Sequence, residues 1–267
     1  MRIHVVDAFT DRPFAGNPAA VCVLATPADA GWMQRVAMEM ALSETAFLRP
    51  LGEPDADFEL RWFTPKVEVA LCGHATLASA HVLYETGAVP PGRPIRFRTL
   101  RSGVLTVTRG EDGTLAMDFP ACPPEKADVP GLAEALGVSP SWTGRNAQND
   151  ILAVVDDAQA VRSLAPDLAA LTRVDARGVC VTAADSDHDF VSRFFAPAVG
   201  VPEDPVTGSA HCMLAPFWAE RLGRTEMRAH QSSPRGGEVR VLARGDRVTL
   251  IGSAVTVIEG TLHAEPS

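Results

Sequence analysis

Three short segments carry the side chains best suited to moving a proton. Glu44 lies in Leu42-Ser43-Glu44-Thr45-Ala46-Phe47-Leu48, where a helical pattern gives way to a strand-like one. A carboxylate at a helix C-terminus meets the negative end of the dipole, and apolar neighbours desolvate it. Both effects disfavour its charged form, which suits a group that must gain and lose a proton. An ordinary exposed glutamate at a helix–strand junction fits the same position.

The other two segments are Gly73-His74-Ala75 and Glu203-Asp204-Pro205-Val206-Thr207-Gly208-Ser209-Ala210-His211. Each glycine opens an apolar, helix-like run. A helix start presents unpaired N–H groups and a partial positive charge, and glycine lets a ligand approach the backbone. Gly73, Gly208, Ser209, Ala210 and Thr207 are therefore candidate carboxylate-binding positions. Either glycine taken alone serves as well for close packing. His74 and Asp204 are candidate partners of Glu44 in catalysis. A satisfied core histidine, a turn at Asp204-Pro205 and an N-cap at Thr207 account for the same residues structurally.

The surrounding pattern says what positions them. Arg2–Ala8, Ala19–Leu24, Thr45–Leu48 and Asp57–Phe63 read as strands, and Trp32–Leu42 as a helix with Asp29 as its N-cap. Gly73–Tyr84 is rich in small residues and almost uncharged, the mark of a helix buried on every side. Strand patterns follow at Ile95–Leu100, Val104–Arg109 and Thr114–Phe119, then a proline-dense stretch from Pro120 to Pro130 that reads as a linker. A second helix covers Gly208–Arg221. Further strands fall near Glu226–His230, Glu238–Ala243, Arg247–Ile251 and Val255–Leu262.

The halves resemble each other. Asp57–Val69 and Asp189–Val201 are identical at seven of thirteen positions, and each runs into a glycine-opened helix. The second copy has three extra residues before its glycine. Duplication explains this better than chance. It predicts domains at 1–119 and 131–267, joined by 120–130, with the last residues able to return to the first domain. The two glycine loops would then face one anion-binding crevice.

Composition narrows the function classes. The 267 residues are 46% hydrophobic, enough for a sizeable core, and the net charge of −9 argues against nucleic-acid or polybasic membrane binding. Five widely spaced cysteines with no CxxC fit neither a disulfide framework nor a structural zinc site. No signal peptide or membrane span is legible, so a cytoplasmic location is expected. The seven histidines are scattered in sequence. His74 and His81 can share a helix face, but no carboxylate or thiol at ligand spacing accompanies them, so no metal is expected. There is no dinucleotide or P-loop motif. Arg235-Gly236-Gly237 reads as a hairpin turn or a contact for a substrate acid.

Four ordered motifs together resemble the PhzF-like family of phenazine-biosynthesis proteins, which has a diaminopimelate-epimerase-like fold. They are Val6–Thr10 with Phe14–Ala19, Ser43–Phe47, Arg61–Pro65 with Leu71–Thr76, and Glu203–His211. The resemblance spans essentially the whole chain. It implies an α+β fold of two pseudo-symmetric domains, each a mostly antiparallel curled sheet or barrel around a central buried helix. It implies a cofactor-independent isomerase, commonly homodimeric, acting on a small anionic carboxylate. In the phenazine enzyme a glutamate moves a proton on a dihydro-hydroxyanthranilate; Glu44 matches it, and His74, Asp204 and Ser209 match its partners. Many PhzF-like proteins do not act on phenazine precursors, so the substrate does not carry over. Two readings compete. One is a cysteine-based amino-acid racemase or epimerase using Cys72. The other is a binding protein of this fold without catalysis.

Overall fold

The computed structural model describes residues 1–264 and 266. The chain divides into two compact units, Met1–Asp118 with Ile251–Ser267, and Phe119–Leu250. The first part of the chain forms β1 (Arg2–Ala8), β2 (Asn17–Val23), α1 (Ala30–Met40), β3 (Glu44–Pro50), β4 (Phe58–Phe63), β5 (Glu68–Val69), α2 (Gly73–Glu85), β6 (Ile95–Arg98), β7 (Val104–Arg109) and β8 (Leu115–Pro120). There follow β9 (Glu125–Lys126), α3 (Leu132–Leu136), β10 (Trp142–Arg145), β11 (Asp150–Val154), α4 (Ala158–Arg162), α5 (Leu168–Leu171), β12 (Gly178–Ala184) and β13 (Phe190–Ala196). A 3-10 turn at Pro197–Val199 leads to β14 (Val201–Asp204), α6 (Gly208–Leu222), β15 (Glu226–Gln231), β16 (Gly237–Arg244), β17 (Arg247–Gly252) and β18 (Ala254–Thr261). Among the described residues no helix is long and apolar enough to cross a membrane.

Each unit curls its strands about one helix, α2 in the first and α6 in the second. In α2, ten residues from His74 to Tyr84 are buried. Its polar members Thr76 and Ser79 donate back to Cys72 O (2.6 Å) and Ala75 O (2.7 Å), so their hydroxyls are satisfied within the helix. In α6, Pro216 removes the N–H that would bond Cys212 O. The Cys122 amide donates to that carbonyl instead, at 3.0 Å.

The pairings of the two units correspond strand for strand. In the first, β1 is antiparallel to β2 and β18, β2 is parallel to β3, β3 antiparallel to β4, and β4 parallel to β6. In the second, β10 is antiparallel to β9 and β11, β11 is parallel to β12, β12 antiparallel to β13, and β13 parallel to β15. The expected α+β architecture of antiparallel-rich sheets around buried helices is what the chain adopts.

Several sequence readings change. The 120–130 stretch is not a bare linker: β9 pairs with β10, Val129 is buried, and the segment belongs to the second unit. Helix α1 stops at Met40 because Ala41 turns left-handed (φ 51°). Its Asp29 caps Trp32 N at 3.0 Å as expected. Between 131 and 188 the sequence reading placed no elements. The helices there have four or five residues, too few to show a period, and β11 and β12 are buried on both faces, so they do not alternate.

The repeat also shifts register. Trp62 faces Val69 across β4 and β5, and its counterpart Phe194 faces Asp204 across β13 and β14. The extra residues therefore sit in the Pro197–Gly200 turn, and Glu68 corresponds to Glu203 rather than Gly200. Side chains confirm the match. Arg61 Nε and Nη2 donate to Glu68 at 2.7 and 2.9 Å; Arg193 Nε and Nη2 donate to Glu203 at the same two distances. Each arginine also covers the phenylalanine two residues on, Phe63 and Phe195. Glu203 is thus a structural partner of a largely buried arginine. Removing one member of such a pair leaves the other charge uncompensated. Glu203→Gln should lose about 3 kcal/mol in urea unfolding. Unchanged stability would contradict this assignment.

Candidate active site

The duplicated registers fix which residues of the two units are counterparts. Parallel pairing sets Ala19 opposite Glu44 and Asp150 opposite Gly178. Antiparallel pairing sets Thr45 opposite Phe63 and Val179 opposite Phe195. Glu44 therefore corresponds to Gly178, Ser43 to Arg177, Ala19 to Asp150, Val69 to Asp204, Cys72 to Thr207 and His74 to Ser209. The scaffold is shared, and the chemistry at its corners is not.

In the first unit, Glu44 is the first residue of β3 and His74 the second of α2. His74 Nε2 lies 3.2 Å from Glu44 Oε2, with the side chains 5% and 17% exposed. Asn17 Nδ2 lies 3.2 Å from His74 Nδ1, and Cys72 Sγ 3.5 Å from the same nitrogen. Burial pushes His74 down to about 3, so the ring is neutral across the physiological range. With the Asn17 amide donating to Nδ1, the ring carries its proton on Nε2 and donates it to Glu44. The carboxylate is thereby aimed by an uncharged donor rather than trapped by a cation.

In the sequence no carboxylate or thiol at ligand spacing accompanies His74 and His81. Glu44 and Cys72 both converge on His74, and the three donor atoms lie within 4.8 Å of one another. Sequence spacing hides this because the three sit on β3, the N-cap and the first turn of α2. His81 instead faces Glu85 of its own helix, at 3.4 Å.

The second unit builds a different corner. Thr207 is the N-cap residue of α6, but its side chain makes no cap bond. Its hydroxyl donates to Asp204 Oδ2 at 2.7 Å. Gln231 organises the loop: its Oε1 accepts from Thr207 N (2.8 Å), and its Nε2 donates to Asp204 O (2.6 Å). His211 Nδ1 donates back to Thr207 O at 2.8 Å, as Thr76 does to Cys72 O in α2. Arg177 Nη2 donates to Ser209 Oγ at 3.0 Å and also bonds the fully buried Asp150. Burial drives Asp150 up, against the downward pull of Arg177 and Asn146. Gly178 is open to no side chain, since a Cβ there would lie 2.3 Å from Phe194 Cζ. The counterpart of Glu44 is thus sterically absent.

The starts of α2 and α6 differ from those of α1, α4 and α5. Asp29, Asp157 and Asp167 cap α1, α4 and α5 through their side chains. Cys72 and Thr207, at the starts of α2 and α6, make no such bond.

Sequence reasoning missed Asn17, Arg177, Asp150 and Gln231. Asn17 lay within one of the four motifs; the others are joined to this corner by partners 24 to 32 residues away, which no local pattern shows.

A carboxylate beside a neutral imidazole thus stands at the start of a buried helix in a duplicated curled-sheet fold. Residues 6–260 match the family model described as phenazine biosynthesis-like protein. An uncharacterized isomerase of Halalkalibacterium halodurans is 50% identical, covering 97% of each chain. One from Pseudomonas aeruginosa is 51% identical, covering 98% of this chain and 99% of that one. The crystal structure of a PhzF-family protein from Enterococcus faecalis superposes with a TM-score of 0.92 at 40% identity, covering 98% of this chain and 99% of that one. The chain belongs to the PhzF-like family of isomerases.

Burial of the two histidines makes stability depend on pH. His74 is pushed down to about 3 and His211 to about 4 by burial. In the unfolded chain each takes a proton below about pH 6.5. The unfolded state therefore binds more protons through this window, and stability falls as pH drops from about 6.5 toward 4. Each ring contributes up to about 1.4 kcal/mol per pH unit. Urea unfolding at several pH values should show a shallower slope for His211→Gln than for wild type between about pH 4.5 and 6. Identical slopes would contradict a neutral, buried His211.

Proposed function

We propose that this protein is a cofactor-independent isomerase that moves a proton on a small carboxylate, with Glu44 as the transferring group. The observation that carries the reading is the Glu44–His74 contact, which has no counterpart in the second unit. A neutral N–H donor steadies the carboxylate without neutralising it, so Glu44 can accept a proton in one half-step and return it in the next. His74 holds Glu44 in place. Asp204, tied by Thr207 and Gln231, orients the substrate or relays the second proton.

The second corner suits anion binding. Ser209, the first-turn N–H groups of α6 and the Arg177 guanidinium supply donors and positive charge in an acidic protein. The start of α2 offers Gly73 and His74 N–H groups to the same kind of ligand. We assign the substrate carboxylate to the N–H donors at the start of α2 and the reacting carbon to Glu44. A phenazine-type dihydro-hydroxyanthranilate is one substrate this chemistry suits, and other small carboxylates with an acidic C–H suit it equally. The protein is expected to work in the cytoplasm, as a homodimer.

The cysteine-based racemase reading needs a second thiol opposite Cys72. The counterpart position is Thr207, which favours the carboxylate mechanism. Small cyclic and amino carboxylates, incubated in D2O and followed by proton NMR, should reveal enzyme-dependent exchange. Glu44→Gln should reduce it about 10²–10⁴-fold while the protein stays folded, and Cys72→Ser should retain it. The reverse pattern would establish the thiol mechanism. Arg177→Leu should raise KM by about tenfold or more with a smaller change in kcat, the loss expected of a charge-assisted bond. A loss confined to kcat would remove Arg177 from binding.

A further inference from the structure

We propose a divalent transition-metal site in the second unit, formed by His188, His230 and Glu238, separate from the Glu44 site. The histidines look scattered in sequence, but the fold gathers these two. His188 stands just before β13, His230 on β15, and Glu238 on β16 directly across the ladder from His230. His188 Nε2 and His230 Nδ1 each lie 3.0 Å from Glu238 Oε1. All three donor atoms fall within 4.8 Å of one another.

The arrangement has the features of a built site. His188 Nδ1 faces Asp185 Oδ2 at 3.3 Å, and Asp185 is held in turn by Arg162 at 2.8 Å. A carboxylate behind a ligating histidine fixes the tautomer and aims the other nitrogen. Two imidazole nitrogens and one carboxylate oxygen converging within 4.8 Å are the donor set a transition-metal ion takes. The two imidazoles stack at 5.2 Å between centroids, and His230 is backed by the turn at Gly236, where a Cβ would lie 3.2 Å from the ring.

Donor chemistry selects the ion. Two imidazoles and one carboxylate suit zinc-class ions rather than magnesium or calcium, with the fourth position left to water. Tetrahedral bonds of about 2.0–2.1 Å need ligand atoms roughly 3.3 Å apart. Glu238, with a side chain 56% exposed, can withdraw by the few tenths of an ångström required. The ion would tie three chain segments together. His230 adjoins Gln231, whose amide holds Asp204 and Thr207. Metal occupancy would thus brace β15, whose Gln231 holds Asp204 and Thr207.

The test is direct titration of chelator-stripped protein with Zn²⁺ by calorimetry, and with Co²⁺ by visible absorption. Wild type should bind one equivalent with a tetrahedral nitrogen–oxygen spectrum and no thiolate charge-transfer band. Thermal unfolding should shift upward with Zn²⁺. Glu238→Gln, at an exposed position, and His230→Ala should each weaken binding at least about 100-fold, and Asp185→Asn about 10–100-fold. Cys72→Ser should leave it unchanged. Absence of binding at millimolar Zn²⁺, unchanged binding in Glu238→Gln and His230→Ala, or binding lost in Cys72→Ser would overturn the proposal. The last result would place the ion at Glu44, Cys72 and His74.

Discussion

One contact sets the terms for the rest of the structure: a glutamate carboxylate 3.2 Å from a histidine so buried that it stays neutral. A charged imidazolium there would pin Glu44 as a permanent anion. An apolar neighbour would leave its orientation free. The neutral N–H does neither, and it exists only because α2 is enclosed from its first turn onward. The small residues Ala75, Ala78 and Ala80 let the sheet close about the helix, and that closure desolvates His74.

Duplication supplies the scaffold, and divergence supplies the function. Both units keep the same strand order, the same arginine–glutamate fork beside a phenylalanine, and the same back-bond from the fourth residue of the buried helix to its N-cap carbonyl. These are costly to change, because each satisfies buried polar groups. The corners facing the helix starts carry no such constraint, and there the units part. One has Glu44 and His74. The other has Gly178, Arg177, Ser209 and Asp204. Phe194 fills the space where a second Glu44 would stand, so the base is confined to one unit.

Much of this was legible in the amino-acid order. The glycine-opened uncharged runs announced the two buried helices, and the internal match announced the duplicated strands. Glu44, His74, Asp204 and Ser209 stood out through their motifs. What stayed hidden depends on long-range pairing. The register of the repeat needed the β14 turn to be seen, without which Glu203 looked like part of the site instead of the partner of Arg193. Arg177, Asp150 and Gln231 act across strands, and nothing in their neighbours marks them. His188 and His230 are far apart in sequence and meet only because β13 and β15 run parallel.

The central claim is that a single carboxylate carries the hydrogen from one atom of the substrate to another. A substrate deuterated at the carbon that loses hydrogen, converted in ordinary water and examined by mass spectrometry, tests it most directly. Transfer through Glu44 predicts that part of the deuterium reappears at the new position in the product. Product that carries only solvent hydrogen there, across single and multiple turnovers, would contradict the account.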